Sequence, residues 1–301
     1  MPDKPSAELL ISEELVRALA SSQARALADA ANLPLSHAAD GWDCSVWRLG
    51  EDFAVRLPRR ARSAPLVLHE QEVLGPIAAR LAGTGVGVPA PLVHGRPEFA
   101  FPWPWSIVPW FDGYAGLGIP RPERAGWAVP LASALIALHV PAPADHPVNP
   151  VRGVPLAHRA SAVAARLESL RGRAPAAALV RASLLWDAAL HAPAWADRPV
   201  WIHGDLHPGN IVARGSELVA IIDFGDVTAG DPAYDLAVAW LAFDAIGRAA
   251  FIAATGDRYD GATWTRAHGW AAAFALLLLD QSDDNPEYAA LAADAMQEMS
   301  L

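Results

Sequence analysis

The stretch "WIHGDLHPGNIV", residues 201–212, decides how the rest of the chain is read. His203, Asp205 and His207 fall at alternate positions, so on an extended chain all three would point to one face, as zinc ligands can. The same letters also read as His-x-Asp followed by Asn five residues after the Asp, with Asp205 and Asn210 as the working pair of a phosphoryl-transfer loop. The two readings demand different things elsewhere. A zinc site needs a coordinated shell and groups that orient it, but Pro208-Gly209 breaks the extended run and no strong ligand cluster lies upstream. A transfer loop needs a second carboxylate for magnesium, and "AIIDFGD", residues 220–226, supplies Asp223 at the end of an apolar strand. Magnesium takes hard oxygen ligands, which suits the Asp223 carboxylate and the Asn210 side-chain oxygen. A hairpin turning at Gly215-Ser216 sets Asn210 at the start of one strand and Asp223 at the end of its partner. Asp205 is then free to orient or deprotonate a substrate hydroxyl.

Outward from this loop, the chain changes character once. Ser12, Glu13 and Glu14 ahead of Leu15, Leu19 and Leu27 predict an N-capped helix to about Ala31. Val46–Leu49 and Phe53–Leu57 predict a hairpin, and 66–82 a helix weakened by Gly75 and Pro76. Trp105–Phe111 predicts a buried strand ended by Asp112-Gly113. Beyond it come Ala- and Leu-rich helices at 125–139 and 157–191, separated by a Pro-rich loop, and helix again from Ala233 onward. This order predicts an α+β, two-lobed molecule: a strand-rich N-terminal lobe over 1–111 and a helical C-terminal lobe over 112–301 with one embedded hairpin.

The chain has 301 residues, 53% of them hydrophobic, enough for a substantial core. A net charge of −10 argues against nucleic-acid partners. The single cysteine, Cys44, permits no intramolecular disulfide. The start carries no secretory pattern, and the longest apolar run, Trp270–Leu279, is far short of the about 20 residues a membrane helix needs. A cytoplasmic protein without membrane contact is expected; oligomeric state has no signature.

Taken together, H-G-D-x-x-x-x-N at 203–210, I-D-F-G at 222–225 and D-P-x-x-D-L-A at 231–237 resemble the aminoglycoside phosphotransferase family, small-molecule kinases related in fold to protein kinases. The resemblance runs from about Gly41 to the C-terminus and is strongest to the branch holding aminoglycoside and macrolide kinases. It implies a kinase-like fold, Mg2+ and ATP (GTP possible) as cofactors, Asp205 as catalytic base, and Asn210 and Asp223 as magnesium ligands. Asp231, Asp235 and His203 become structural braces, and His207 a partly exposed loop residue without a role.

The family's phosphate-binding lysine is missing, since Lys4 is the only lysine; Arg56 in "FAVRLPR" stands in its place, with Glu70 as partner and Glu72 as the alternative. No GxGxxG is present, so Gly41, Cys44 and Ser45 are the backbone expected near the phosphates. Pro109 offers only a carbonyl and Phe111 an amide, the acceptor and donor that an adenine ring needs.

Residues 240–301 hold nine acids and three arginines, so they carry −6 of the total −10. This predicts a cationic acceptor, met by Asp283 and Asp284 in the densest acidic run. The acceptor expected is an aminoglycoside or macrolide. The alternatives are a metabolite kinase acting on an amino alcohol or sugar, or a nucleotide-binding pseudokinase, against which the intact Asp205, Asn210 and Asp223 stand.

Overall fold

The computed structural model describes residues 5–24, 27, 30–282 and 285–299. Helix α1 (Glu13–Gln23) starts where the Ser12 hydroxyl accepts from the Leu15 amide. It covers a five-stranded antiparallel sheet in the order β1-β2-β3-β5-β4, with β1 (Leu35–Asp40), β2 (Cys44–Leu49), β3 (Phe53–Pro58), β4 (Val93–Gly95) and β5 (Trp105–Pro109). The β2–β3 hairpin turns at Gly50 with φ of 63°. Strand β1 was not anticipated, and its residues after Leu35 are exposed. An edge strand lacks the apolar alternation that marks a half-buried one.

Between β3 and β4 lies α2 (Ala64–Leu81). Its buried residues Val67, Glu70, Leu74, Ile77 and Leu81 recur at the spacing of one helical face. The buried aliphatics of that face contribute about 1.5–3 kcal/mol each and hold the helix through Pro76. Glu70 shares the face and is carried inward with it.

After β5 and the short β6 (Tyr114–Ala115), the chain is mainly helical: α3 (Ala128–Leu138), α4 (Ala160–Ser169), α5 (Ala176–His191), α6 (Ala233–Leu236), α7 (Val238–Ala242), α8 (Ala245–Ala254), α9 (Gly261–Asp280) and α10 (Pro286–Glu298). The segment 157–191, expected as helix throughout, breaks into α4 and α5 because Gly172 takes φ of 75° and Pro175 cannot continue a helix. Between α5 and α6 come β7 (Val200–Ile202), β8 (Ile211–Arg214), β9 (Glu217–Ile221) and β10 (Thr228–Gly230); β7 pairs with β10, and β6-β8-β9 form a small sheet.

Two separate apolar cores result. One lies under the five-stranded sheet around Leu19, Val55, Trp105 and Ile107, and the other joins α2 to the C-terminal helices around Leu135, Phe224 and Leu276. Gly87 ties the parts together through its backbone, donating to Val219 and accepting from Ile221. Among the described residues, no helix is long and apolar enough to cross a membrane.

Candidate active site

The loop between β7 and β8 is braced from below. Asp235, fully buried on α6, accepts from the amides of His203 at 2.7 Å and Gly204 at 3.1 Å. His139 holds the same carboxylate at 3.2 Å and meets the Tyr259 hydroxyl at 2.7 Å. His203 Nδ1 accepts from the Asp205 amide, so Nε2 carries the proton and donates to the Ile222 carbonyl at 2.9 Å. Gly204 has φ of 84°, and a Cβ there would collide with the Asp226 carbonyl. Asp231 accepts from the Ala233 amide at the start of α6 and pairs with Arg266.

His207 is a correction to the expected exposed position. It is 5% exposed, its Nδ1 accepts from the Gly209 amide, and its ring meets Tyr288 of α10 edge-on at 5.4 Å. Its Nε2 lies 3.6 Å from Asp205 Oδ2. The zinc reading fails on the same contacts: loop backbone takes both nitrogens of His203 and one of His207. Among the described residues, no three His, Cys, Asp or Glu side chains gather closely enough to hold an ion.

Asn210 and Asp223 are brought together by the hairpin, where the Ile222 amide donates to the Asn210 carbonyl at 2.9 Å. The Asn210 side-chain nitrogen is spent on the Asp205 carbonyl at 2.8 Å, which leaves its oxygen available. Asp223 takes a left-handed backbone, φ 62° and ψ 64°, and its side chain is 57% exposed. An amide oxygen and an open carboxylate suit magnesium, which keeps several waters and needs few protein ligands.

Arg56 on β3 faces these groups. Its Nη1 donates to both Glu70 oxygens at 2.7 Å, and its Nη2 reaches Asp223 at 3.4 Å. Burial works against the Arg56 charge, but Glu70 outweighs it and lifts the guanidinium above its ordinary range. Burial pushes the Glu70 carboxyl up, with Arg56 pulling the other way.

Ser45 is buried and its hydroxyl accepts from Trp47 Nε1 at 3.1 Å, so any phosphate contact falls to backbone. Burial pushes the Cys44 thiol up to about 12 and keeps it protonated. At the end of β5, the Trp110 amide donates to the Asp52 carbonyl at 2.7 Å. Alternation along an extended chain then turns the Pro109 carbonyl to the opposite edge. Phe111 follows, half-buried, beside Gly87. Lys4, Asp283 and Asp284 lie outside the described residues.

The remaining surroundings of Asp205 were missed from sequence. Arg152, in the loop between α3 and α4, donates to Asp205 Oδ1 at 2.9 Å. Burial would raise the Asp205 carboxyl, but Arg152 and then His207 hold it well below the usual carboxylate range. Asp226, Tyr234 and Tyr288 complete the wall; burial and the Asp205 charge push the Tyr234 hydroxyl up to about 12 against the pull of Arg152. Only Asp226 had a local signal, as the last residue of "DFGD".

A sheet-bearing lobe with a buried Arg–Glu pair, facing a loop that carries an acid and an Asn–Asp pair, defines the kinase-like phosphotransferases. The chain belongs to the phosphotransferase enzyme family, whose model matches residues 35–270. Its fold is shared with an aminoglycoside phosphotransferase solved with GDP and kanamycin (TM-score 0.66, 15% identity, 94% of this chain and 97% of that one). It is also shared with one solved with streptomycin and ATP (0.54, 15%, 96% and 97%). A third is the macrolide 2'-phosphotransferase MphH from Brachybacterium faecium (0.56, 22%, 92% and 97%). A comparison with curated protein sequences gives no match.

Proposed function

We propose that this chain transfers the γ-phosphoryl group of magnesium-bound ATP, or GTP, to a hydroxyl of a small amine-bearing molecule, with an aminoglycoside or macrolide as the best candidate. The observation that carries this reading is the meeting of three groups: the Asp205 carboxylate, the Asn210–Asp223 oxygens and the Arg56–Glu70 pair. Such transfer needs mainly positioning and electrostatic stabilisation.

In this reading Arg56 grips the phosphates while Glu70 fixes it. Asn210 and Asp223 would hold Mg2+, which would supply positive charge against that of the phosphates. Pro109 and Phe111 meet the adenine edge through backbone, and Asp205 orients the acceptor hydroxyl. Support for the amine-bearing class comes from the neighbours solved with kanamycin and with streptomycin. Charge supports it less than the sequence suggested. Of the C-terminal acids, Asp244 and Asp260 cap helices, Asp280 takes Ser169 and Arg173, and Glu298 takes Arg248. The test is a magnesium-ATP consumption screen against aminoglycosides, macrolides and common metabolites. The expected result is magnesium-dependent ADP formation stimulated by an amine-bearing alcohol. Tightly bound zinc with no magnesium-dependent ATP binding would overturn the reading.

A further inference from the structure

Arg152 comes from a Pro-rich loop that carries no motif, yet every nitrogen of its guanidinium is used at the site. Nη2 donates to Asp205 Oδ1 at 2.9 Å, Nε to Asp226 Oδ2 at 3.0 Å, and Nη1 to the Tyr234 hydroxyl at 2.8 Å. The Phe274 ring centroid lies 5.8 Å from the guanidinium carbon.

The loop that delivers it is locked in place. The Asn149 side-chain oxygen accepts from the Val151 and Arg152 amides, and its nitrogen donates to Asp226 Oδ1 at 2.7 Å. Thr228 donates to the Pro147 carbonyl at 2.7 Å. Gly153 and Gly230 let the loop lie directly on β10: a Cβ on Gly153 would come 2.6 Å from the Ala229 carbonyl oxygen, and one on Gly230 2.6 Å from the Gly153 Cα.

The grip on Asp205 is one-sided. Oδ1 has the short bond to Arg152, whereas among the described residues Oδ2 meets Asn210 Nδ2 at 3.4 Å and His207 Nε2 at 3.6 Å. The Asp205 side chain remains 28% exposed, so solvent, and therefore a ligand, reaches it. A carboxylate free to rotate would offer either oxygen in many directions; one held at Oδ1 by a guanidinium that Asp226 and Tyr234 fix in place presents its other oxygen.

We propose that Arg152 is a positioning residue of the transfer step, holding Oδ1 of Asp205 so that Oδ2 alone is presented to the acceptor hydroxyl. This rests on the reading of Asp205 as the acceptor carboxylate. In the step, the hydroxyl oxygen forms its bond to the γ-phosphorus and the bond from that phosphorus to the bridging oxygen breaks. ADP departs with the electron pair, and the hydroxyl proton passes to Asp205 Oδ2. Arg152 touches none of the reacting atoms. Its loss lowers kcat by letting the carboxylate turn and leaves the KM for ATP alone.

The experiment compares the parent with Arg152→Ala, Arg152→Lys, Asp205→Ala and the Arg152→Ala/Asp205→Ala double variant. ADP release from magnesium-ATP is followed with kanamycin present and with water as sole acceptor, and melting temperatures are recorded alongside. Arg152→Ala is expected to lose about 10²-fold in kcat with its KM for ATP within about twofold. Millimolar guanidinium should restore part of that loss. Arg152→Lys, which has one point charge for two carboxylates, should fall between. Adding Arg152→Ala to Asp205→Ala should cost nothing further.

A folded Arg152→Ala with parental kcat, a loss that adds in full to that of Asp205→Ala, or no rescue by guanidinium overturns the proposal while the role of Asp205 stands. Parental turnover in Asp205→Ala overturns the functional reading itself, and a parent that releases no ADP with either acceptor overturns both.

Discussion

Arg56 and Arg152 each set one guanidinium between two carboxylates, and the difference between the two settings assigns them different work. Arg56 has one deep partner and one open one: the Glu70 side chain is 2% exposed and that of Asp223 57%. Its bonds to Glu70 are 2.7 Å long and its contact with Asp223 is 3.4 Å. The outer half of this arginine is therefore weakly committed and available to an anion. Arg152 has short bonds to both acids, whose side chains are 28% and 27% exposed, and its third nitrogen is taken by Tyr234. Arg152 thus spends one N–H of each of its three nitrogens on protein partners. In the proposed function the first arginine is an anchored hand held out to the nucleotide, and the second a fixed clamp on the acceptor side.

The comparison breaks most visibly at the carboxylate that Arg152 clamps. Asp205→Ala should lower turnover by about 10²–10⁴-fold with the true acceptor, as loss of a general base does. Steady-state kinetics giving turnover within tenfold of the parent would count against it.

Next comes the buried side of Arg56. Arg56→Met leaves the Glu70 carboxylate buried without its cation and should cost about 3–5 kcal/mol of stability. The loss has a pH signature. Burial raises the Glu70 carboxyl in the folded state, and without Arg56 nothing of comparable size opposes this. A carboxyl raised on folding binds more protons in the native state, so that stability is present at low pH and lost as pH rises through the folded pKa. The variant should therefore recover relative to the parent as pH falls from 8 toward 5, and thermal melts across that range test it. A constant deficit would mean that Glu70 keeps its charge by other means. Arg56→Lys should keep much of both the stability and the KM for ATP, since it preserves the charge but loses the fork.

The smallest effect belongs to the acidic run beyond α9. Replacing Asp283 and Asp284 together with Asn should raise the acceptor KM about two- to fivefold at low salt, with little change for ATP. The difference should fade as salt screens the charges. An unchanged acceptor KM at every salt concentration would leave this run as solvated surface.

What was legible in the sequence follows from how far apart the partners lie. Asp205, Asn210 and Asp223 share one loop and one hairpin, so a local pattern and a turn locate them. Arg56 and Glu70 are 14 residues apart on a strand and the next helix, and the missing lysine drew attention to Arg56. Glu70 was identifiable because it falls on the apolar face of α2. Arg152 lies 53 residues from Asp205 in a loop whose position depends on docking against β10, and no local pattern reports such docking. The acidic C-terminus is only partly legible for a related reason. Composition counts charges, but only packing shows that Asp244 and Asp260 cap helices while Asp280 and Glu298 are already paired. His207 looked partly exposed because the α10 residue that covers it, Tyr288, is distant in sequence.

The central claim is that Asp205 serves the acceptor while Asn210 and Asp223 serve the metal-bound nucleotide. Calorimetric titration of ATP into Asp205→Ala and Asp223→Ala, each with and without magnesium, tests it most directly. The predicted result is parental magnesium-dependent affinity in Asp205→Ala, and in Asp223→Ala a loss of at least about tenfold confined to the magnesium-dependent part. Magnesium-dependent binding that survives in Asp223→Ala, or that disappears in Asp205→Ala, would contradict the assignment.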